Sequence, residues 1–530
     1  MKFIFRIILL AAPLGAMAQP DSSRAQQTVD ITSSFKPNMY RVGKINFSAS
    51  QLKGDTARNL RPYEVPGQNL FYAYRPIALK PLAIETQAEM DLGTKNFVKA
   101  GVGNYATPYL RAGLTYGDAV DYLANAYVDY TSSNGSLKYQ DFSRFQCKAT
   151  GSRFFQGYEW YGAVGFRRDN YFLYGYDQQQ FPDVKKEDVQ NRQQEFSVST
   201  GFRNTEPGER GIRYNPEIKY SLFSMKDKVS ESALFVNVPF EKNFSDKFSA
   251  RLELNGSLIR ITQKVLDTAI GQRVDAAANN NVFRISPSVT YSLKPFIFKV
   301  GVSPVWNHGD LAWLPDMTID ANIFPKFSLQ TGWVGRIVQN SSRYISSVNP
   351  YFDPQFFVPN TKESEFFAGI KGGIGKHFSF SGKAGWVAYK NLQFFVNDTA
   401  ASGRGMILLN EEAAGNLRIT GSISYIDKEK FSVKGNIILN GYTNVDDNAR
   451  PWHTLPLEIS GSVRWKPFKK LTLTSDIWTF SGGRYLSRVN GEDYKVGSGL
   501  DLSLGAEYAF SKKISGWLNV NNLLNNKYQR

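Results

Sequence analysis

The sequence predicts an all-β chain: a transmembrane antiparallel β-barrel of roughly 20 to 22 strands, preceded by a short Pro-rich extended arm. Three observations predict it. Apolar and polar side chains alternate strictly in segments from Val98 to Val520, connections divide into short turns and long loops, and an export signal opens the chain. Between Asp121 and Tyr130, for example, Tyr122, Ala124, Ala126, Val128 and Tyr130 point one way, and Leu123, Asn125, Tyr127 and Asp129 the other. In the next segment Phe145, Cys147, Ala149 and Gly151 oppose Arg144, Gln146, Lys148, Thr150 and Ser152. A strand sends successive side chains to opposite faces, so each segment has an apolar and a polar side. About ten such residues, tilted, cross a bilayer.

The N-terminus sets the compartment. Lys2 and Arg6 form a basic region, residues 7–14 an apolar core, and Ala16-Met17-Ala18 a small-x-small cleavage site before Gln19. Residues 1–18 therefore read as a signal peptide and the mature chain as a protein of the bacterial outer membrane. Beyond the signal no run of 18 apolar residues occurs, so no helical span is expected. Mean hydropathy is −0.35, a value that barrels reach because half of every strand is polar. The one cysteine, Cys147, has no partner for an internal disulfide. Net charge is +16, or +14 without the two basic residues of the signal. This balance suits anionic partners such as lipopolysaccharide; nucleic acid does not fit a secreted chain with no compact basic run.

Residues 19–95 differ from the rest. Pro66, Pro76 and Pro81 punctuate a stretch still rich in Phe, Tyr, Ile and Leu, and prolines at this density forbid long helices and central strands. The segment is expected to be an extended arm, periplasmic or lumenal, packing on or inside a larger surface. Residues 96–530 are expected to form the barrel. Ile212, Tyr214, Pro216, Ile218, Tyr220 and Leu222 alternate with Arg213, Asn215, Glu217, Lys219 and Ser221; Ala250, Leu252, Leu254 and Gly256 alternate with Arg251, Glu253 and Asn255. Residues 241–246, 294–295, 427–430 and 511–513 read as periplasmic turns. Residues 168–192, 263–280, 339–362 and 442–454 read as extracellular loops, an asymmetry that outer-membrane barrels show.

Trp517-Leu518-Asn519-Val520-Asn521-Asn522-Leu523-Leu524-Asn525-Asn526-Lys527-Tyr528 resembles the penultimate-strand ending of TonB-dependent receptor barrels. The resemblance implies a receptor or transport barrel inserted by barrel-assembly machinery. Two departures follow. Residues 19–95 are too few for the family's N-terminal plug, so the chain resembles the plugless relatives. The family also ends in one more strand with a terminal aromatic residue, whereas Gln529-Arg530 stand here. Either the last strand is missing, in which case 21 visible strands would fit, or closure differs. In the arm, Thr28-Val29-Asp30-Ile31-Thr32 resembles the short box with which such receptors pair with TonB by strand addition; the plain alternative is a β-prone stretch of an extended arm. TonB or another periplasmic protein is the partner implied.

Catalytic chemistry is not expected. His308, His377 and His453 are the three histidines; His308 and His453 lie near Asp310 and Asp447 and beside Trp306, Trp313 and Trp452. A hydrolytic Asp/His site could be assembled from them, but interface-level polar residues beside a tryptophan girdle explain them better. No Gly-x-Ser-x-Gly elbow and no Cys/His metal spacing occurs. Asp446-Asp447-Asn448 lacks the spacing of a calcium loop, so neither a metal nor a cofactor is expected. The inward-facing charges Arg144, Lys148, Arg213, Glu217, Lys219, Arg251 and Glu253 are expected either to line a conduction path or to brace the wall by ion pairing. The function expected is binding or passage of solutes without covalent chemistry, with anchoring of an envelope complex through the arm as the alternative.

Overall fold

The computed structural model describes residues 96–526, apart from 177–180, 209, 268–271, 325, 356, 398–404, 429, 449 and 488–490. The arm with its residues 28–32, the signal peptide and the last four residues lie outside the described part.

The distribution of polarity is the reverse of a soluble protein's. On the strand Thr361–Ile374, Phe366, Ile370 and Ile374 are exposed while Glu363 and Phe367 are buried. On Phe296–Asn307, Val300, Val302 and Trp306 are exposed, and Lys299, Ser303 and Val305 are buried. Exposed aliphatic and aromatic side chains recur in this way around the whole sheet, and Arg111, Glu159, Asp169, Glu253 and Asp316 are buried inside it. An apolar outer band around a polar interior belongs in lipid.

One antiparallel sheet of 23 strands runs from Asn96–Gly103 to Ser515–Val520, and a two-stranded ribbon joins Arg484–Leu486 to Asp493–Lys495. Two passages are interrupted. Ile212–Tyr214 and Glu217–Met225 pair in succession with Val229–Asn243, the break falling at Pro216, which has no N–H to give a ladder. Likewise Gln272–Asn279 and Val282–Leu293 pair in succession with Phe248–Asp267. Each interrupted passage counts once, which leaves 21 staves among the described residues.

Connections sort by length onto the two ends. At one end most are tight, including 118–121, 156–157, 294–295, 375–377 and 469–470, with 205–211 the longer exception. At the other they include 134–141, 173–189, 339–360, 398–405, 444–456 and 482–498. Three of the four expected long loops are there. The fourth, 263–280, is instead largely strand: Phe248–Asp267 continues past the apolar band and pairs with Gln272–Asn279. The stretch Leu392–Glu412 is also strand: Phe378–Asn397 and Met406–Asp427 pair over 19 positions and stand well above the roughly ten residues that cross lipid.

Since 21 is odd, the first and last staves run the same way, from the short-turn end to the long-loop end. They meet through side chains. The Trp517 indole occupies the space that a Cβ at Gly101 would need, stacks edge-on against Tyr109 at 5.5 Å between centroids, and carries the Lys99 ammonium over its ring at 4.5 Å. Among the described residues, Asn96–Gly103 is laddered to Thr107–Gly117 and Ser515–Val520 to Gly499–Ala509, with no ladder across the seam.

Candidate functional site

The inner face of the wall is a belt of ion pairs. Arg111 meets Asp129 at 2.7 Å, Arg203 meets Glu159 at 2.5 Å, Lys299 meets Asp316 at 2.7 Å, and Lys383 meets Glu365 at 2.8 Å. Each pair joins strands that are neighbours in the sheet, so the pairing follows from register and alternation. Arg144 bonds Asp169 at 3.1 Å and the Tyr171 hydroxyl at 2.8 Å. Glu253 sits between Arg251 and Arg284, each at 3.5 Å. Arg213 stands opposite Glu241 in the ladder, towards the short-turn end. Lys148, Glu217 and Lys219 form one neighbourhood with Glu195 and Arg343.

Arg343 comes from the longest connection, and its presence there defines the site. Residues 339–360 turn inward across the mouth. Asn340, Asn360, Asn280 and Asn307 fasten the root: Asn360 Nδ2 donates to Asn280 Oδ1 and to Asn307 Oδ1, both at 2.7 Å, and Asn340 Nδ2 donates to the Pro359 carbonyl oxygen at 2.7 Å. Ser341 then caps a short helix, α1 (Ser342–Val348), by accepting from the Tyr344 N–H. The Arg343 N–H donates to Glu231 Oε2 at 3.1 Å, and its guanidinium reaches Glu195 at 3.5 Å.

Beyond the helix the loop crosses to more distant staves. Asn191 and Gln193 both donate to the Pro350 carbonyl oxygen, at 2.5 and 3.2 Å. Lys228 binds Asp353 at 2.7 Å and Gln263 donates to the Pro354 carbonyl oxygen at 2.6 Å. On the other side Gln355 bonds the backbone of Leu408 in both directions, and Ile345, Phe352, Val358 and Leu408 form a buried cluster. A segment that touches elements on both sides of the mouth lies across it.

Two further devices order the long-loop end. Glu411, fully buried, accepts from the N–H groups of Asp446, Asp447 and Asn448 and from Asn448 Nδ2, at 3.0 to 3.1 Å. These N–H groups converge on a carboxylate of the chain itself, so Asp446-Asp447-Asn448 is a loop anchor. Trp452 is buried with Phe394 and Val396, which corrects its expected place in an outer girdle; Trp306 and Trp313 do face outward.

The histidines are not brought together. His308 takes a two-residue turn with φ 53° and stacks edge-on with Phe357. His453 lies by Tyr485 in the 444–456 loop. His377 sits at the opposite end, its Nδ1 2.8 Å from the Ile426 carbonyl oxygen. Among the described residues no three His, Cys, Asp or Glu side chains converge as metal ligands. Sequence reasoning missed Arg343, Glu195, Glu231, Asn191 and Gln193. Glu195, Glu231 and Gln193 stood outside the expected loops, whereas Asn191 falls within 168–192, read as a loop but found in the strand Gln190–Asn204; the signal for Arg343, a Ser-capped turn inside a long loop, does not tell inward from outward.

No family model matches the chain, and no curated protein does. Solved structures do. The ferric enterobactin receptor PfeA of Pseudomonas aeruginosa, in a mutant form with enterobactin, is similar over 81% of this chain and 74% of its own, with a TM-score of 0.60 and 11% identity. The FrpB iron transporter from Neisseria meningitidis covers 81% and 77%, with a TM-score of 0.61 and 10% identity. FpvA of P. aeruginosa bound to a heterologous pyoverdine covers 82% and 68%, at 0.59 and 11%. The chain thus has the barrel fold of TonB-dependent receptors.

Proposed function

We propose that this chain is an outer-membrane receptor or transport barrel of the plugless kind, which binds or passes a solute through a polar lumen and makes or breaks no covalent bond. The observation that carries the reading is the 339–360 loop laid across the mouth, with Arg343 among Lys148, Lys219, Glu195 and Glu217. Such an arrangement presents a mixed-charge surface on the route into the barrel and excludes a wide unobstructed opening. In this reading residues 19–95 approach from the short-turn end, where the first stave starts, and act on the lumen or on TonB through residues 28–32. Arg144, Arg213, Arg251 and Glu253 then line the passage while their ion pairs hold the wall. The likeness to the enterobactin-bound PfeA and the pyoverdine-bound FpvA supports a bulky solute as cargo.

Vesicles reconstituted with the full chain, or with a chain lacking residues 19–80, test the reading by solute-driven swelling. Swelling with either chain is the result expected. Folded protein that is inert in both forms, and that captures a stoichiometric partner through its arm, would replace the reading with that of an envelope anchor.

A further inference from the structure

One sector of the outer face changes character where the apolar band ends. It comprises Tyr158–Phe172, Gln190–Asn204, Glu217–Met225, Val229–Asn243 and Phe248–Asp267, which are laddered in that order. Towards the long-loop end their outward apolar positions finish at Phe166, Phe196, Leu222, Leu234 and Leu258. The next outward residue on each strand is Arg168, Gln194, Ser224, Ser232 or Arg260. Beyond these stand Arg192, Lys226 and Lys264. Further round the sheet, Trp306 and Trp313 face outward near the same end, so the aromatic edge there gives way here to cations, amides and hydroxyls.

Two properties make this sector a site. The first is charge. Arg168, Arg260 and Lys264 are exposed, and among the described residues neither they nor Arg192 engage a side chain in a hydrogen bond or an ion pair. Lys226 donates to Gln190 at 2.9 Å and lies 4.0 Å from Asp227. The acids at this height on these strands, Asp169, Glu195 and Glu231, turn inward to Arg167 and Arg343. Asp227 and Asp275, the latter opposite Lys264 in the ladder, stand only at the upper edge. The second property is shape. The small side chains of Ser224, Ser230 and Ser232 lie between Phe166 and Phe196 on one side and Arg260 on the other, which leaves a recess of about 480 Å³.

We propose that this recess and its cations hold lipopolysaccharide by the phosphates of its lipid-linked sugars. Phenyl and leucyl side chains below the recess face hydrocarbon and suit acyl chains. Guanidinium and ammonium groups at the hydrocarbon boundary suit phosphate, which arginine grips with two N–H groups. The serine hydroxyls and the Gln194 amide can exchange hydrogen bonds with sugar hydroxyls. Width decides between kinds of lipid. Arg168 and Arg260 are four interstrand spacings apart, about 19 Å at about 4.8 Å each. One glycerophosphate cannot meet both; a multiply acylated sugar head with more than one phosphate can. The long-loop end is also the outer-leaflet end of such barrels. The contact is made on the outside of the wall, so it goes beyond solute passage through the lumen and does not depend on it.

Full-length protein in detergent, shown to be folded by heat-modifiable migration, tests the proposal. It is titrated with diphosphorylated lipid A, monophosphorylated lipid A, phosphatidylglycerol and inorganic phosphate, and bound species are counted by native mass spectrometry. The parent is expected to hold one diphosphorylated lipid A per chain, more tightly than the other three probes. Changing Arg168, Arg192, Arg260 and Lys264 together to glutamine is expected to weaken it by roughly tenfold or more. The same change at Lys428, Lys430, Lys512 and Lys513, on the short-turn end, is expected to leave it unaltered. Ser232→Trp keeps every charge but fills the recess, and is expected to weaken binding too. Parent-like binding in the folded quadruple variant or in Ser232→Trp overturns the proposal, as does a parent that binds no lipid A. Phosphatidylglycerol held as tightly would make the sector a general anionic-lipid surface, and inorganic phosphate held as tightly a free-phosphate site; either result overturns it. Should the quadruple variant fail to fold, Ser232→Trp and the order of the four probes decide.

Discussion

Asn191 Nδ2 donates a 2.5 Å hydrogen bond to the carbonyl oxygen of Pro350, 159 residues further along the chain, and both groups are buried. This contact ties the inturned loop to a stave remote from the two that carry it. With Gln193, which donates to the same oxygen at 3.2 Å, it forms a latch. Replacing both by alanine leaves that buried oxygen without its donors, at a cost of roughly 1 to 3 kcal/mol. Amide exchange in α1 and residues 349–355 is expected to accelerate by about 5- to 100-fold, with exchange in the staves unchanged, as hydrogen-exchange mass spectrometry would show.

Glu411 holds the 444–456 loop by accepting from three backbone N–H groups and one side-chain amide. Glu411→Ala strands these donors; Glu411→Gln keeps one acceptor oxygen. Charge-assisted bonds contribute about 1.5 to 3 kcal/mol each. Protease added outside intact cells is therefore expected to cleave this loop fast in the alanine variant, at an intermediate rate in the glutamine variant and slowly in the parent.

Lys299 and Asp316 are a buried pair at 2.7 Å, with side chains 7% and 1% exposed. Removing one partner leaves an uncompensated charge, at about 3 to 5 kcal/mol. Lys299→Met is expected to lower the denaturant midpoint of vesicle-inserted protein by that equivalent. Lys299→Met with Asp316→Leu is expected to recover most of it, since an apolar pair of similar volume replaces the ionic one.

Asp118 turns the chain at the short-turn end. Its carboxylate accepts from the N–H groups of Val120, Asp121 and Tyr122, at 2.9, 2.8 and 3.2 Å, and these bonds hold it below the ordinary aspartate value of 3.8. A depressed carboxyl pKa stabilises the turn above the unfolded value and loses that effect as pH falls through the folded one. Protection of the 120–122 amides is expected to persist at pH 5 and to fall at acid pH below 3.8, while Asp118→Ala lacks it throughout.

Much of the fold was legible because a strand in lipid must alternate: Leu252 and Leu254 against Arg251 and Glu253 fixed both the element and its two faces. What alternation does not encode is where a stave stops. Residues 263–280 mix polar and apolar side chains in a way that fits a loop or a strand, and 263–267 pair with 272–276. Nor does it encode which way a loop folds. Arg343 and Trp452 enter the interior through contacts with residues distant in sequence, Glu195 and Phe394, and no local pattern marks those partners.

Single-channel recording from purified protein in planar bilayers tests the central claim most directly. The chain lacking residues 19–80 is expected to give discrete conductance steps that exceed those of the full-length protein, because a polar lumen then carries ions past the 339–360 loop with less in the way. Folded protein that is silent in both forms would contradict a solute-passing barrel.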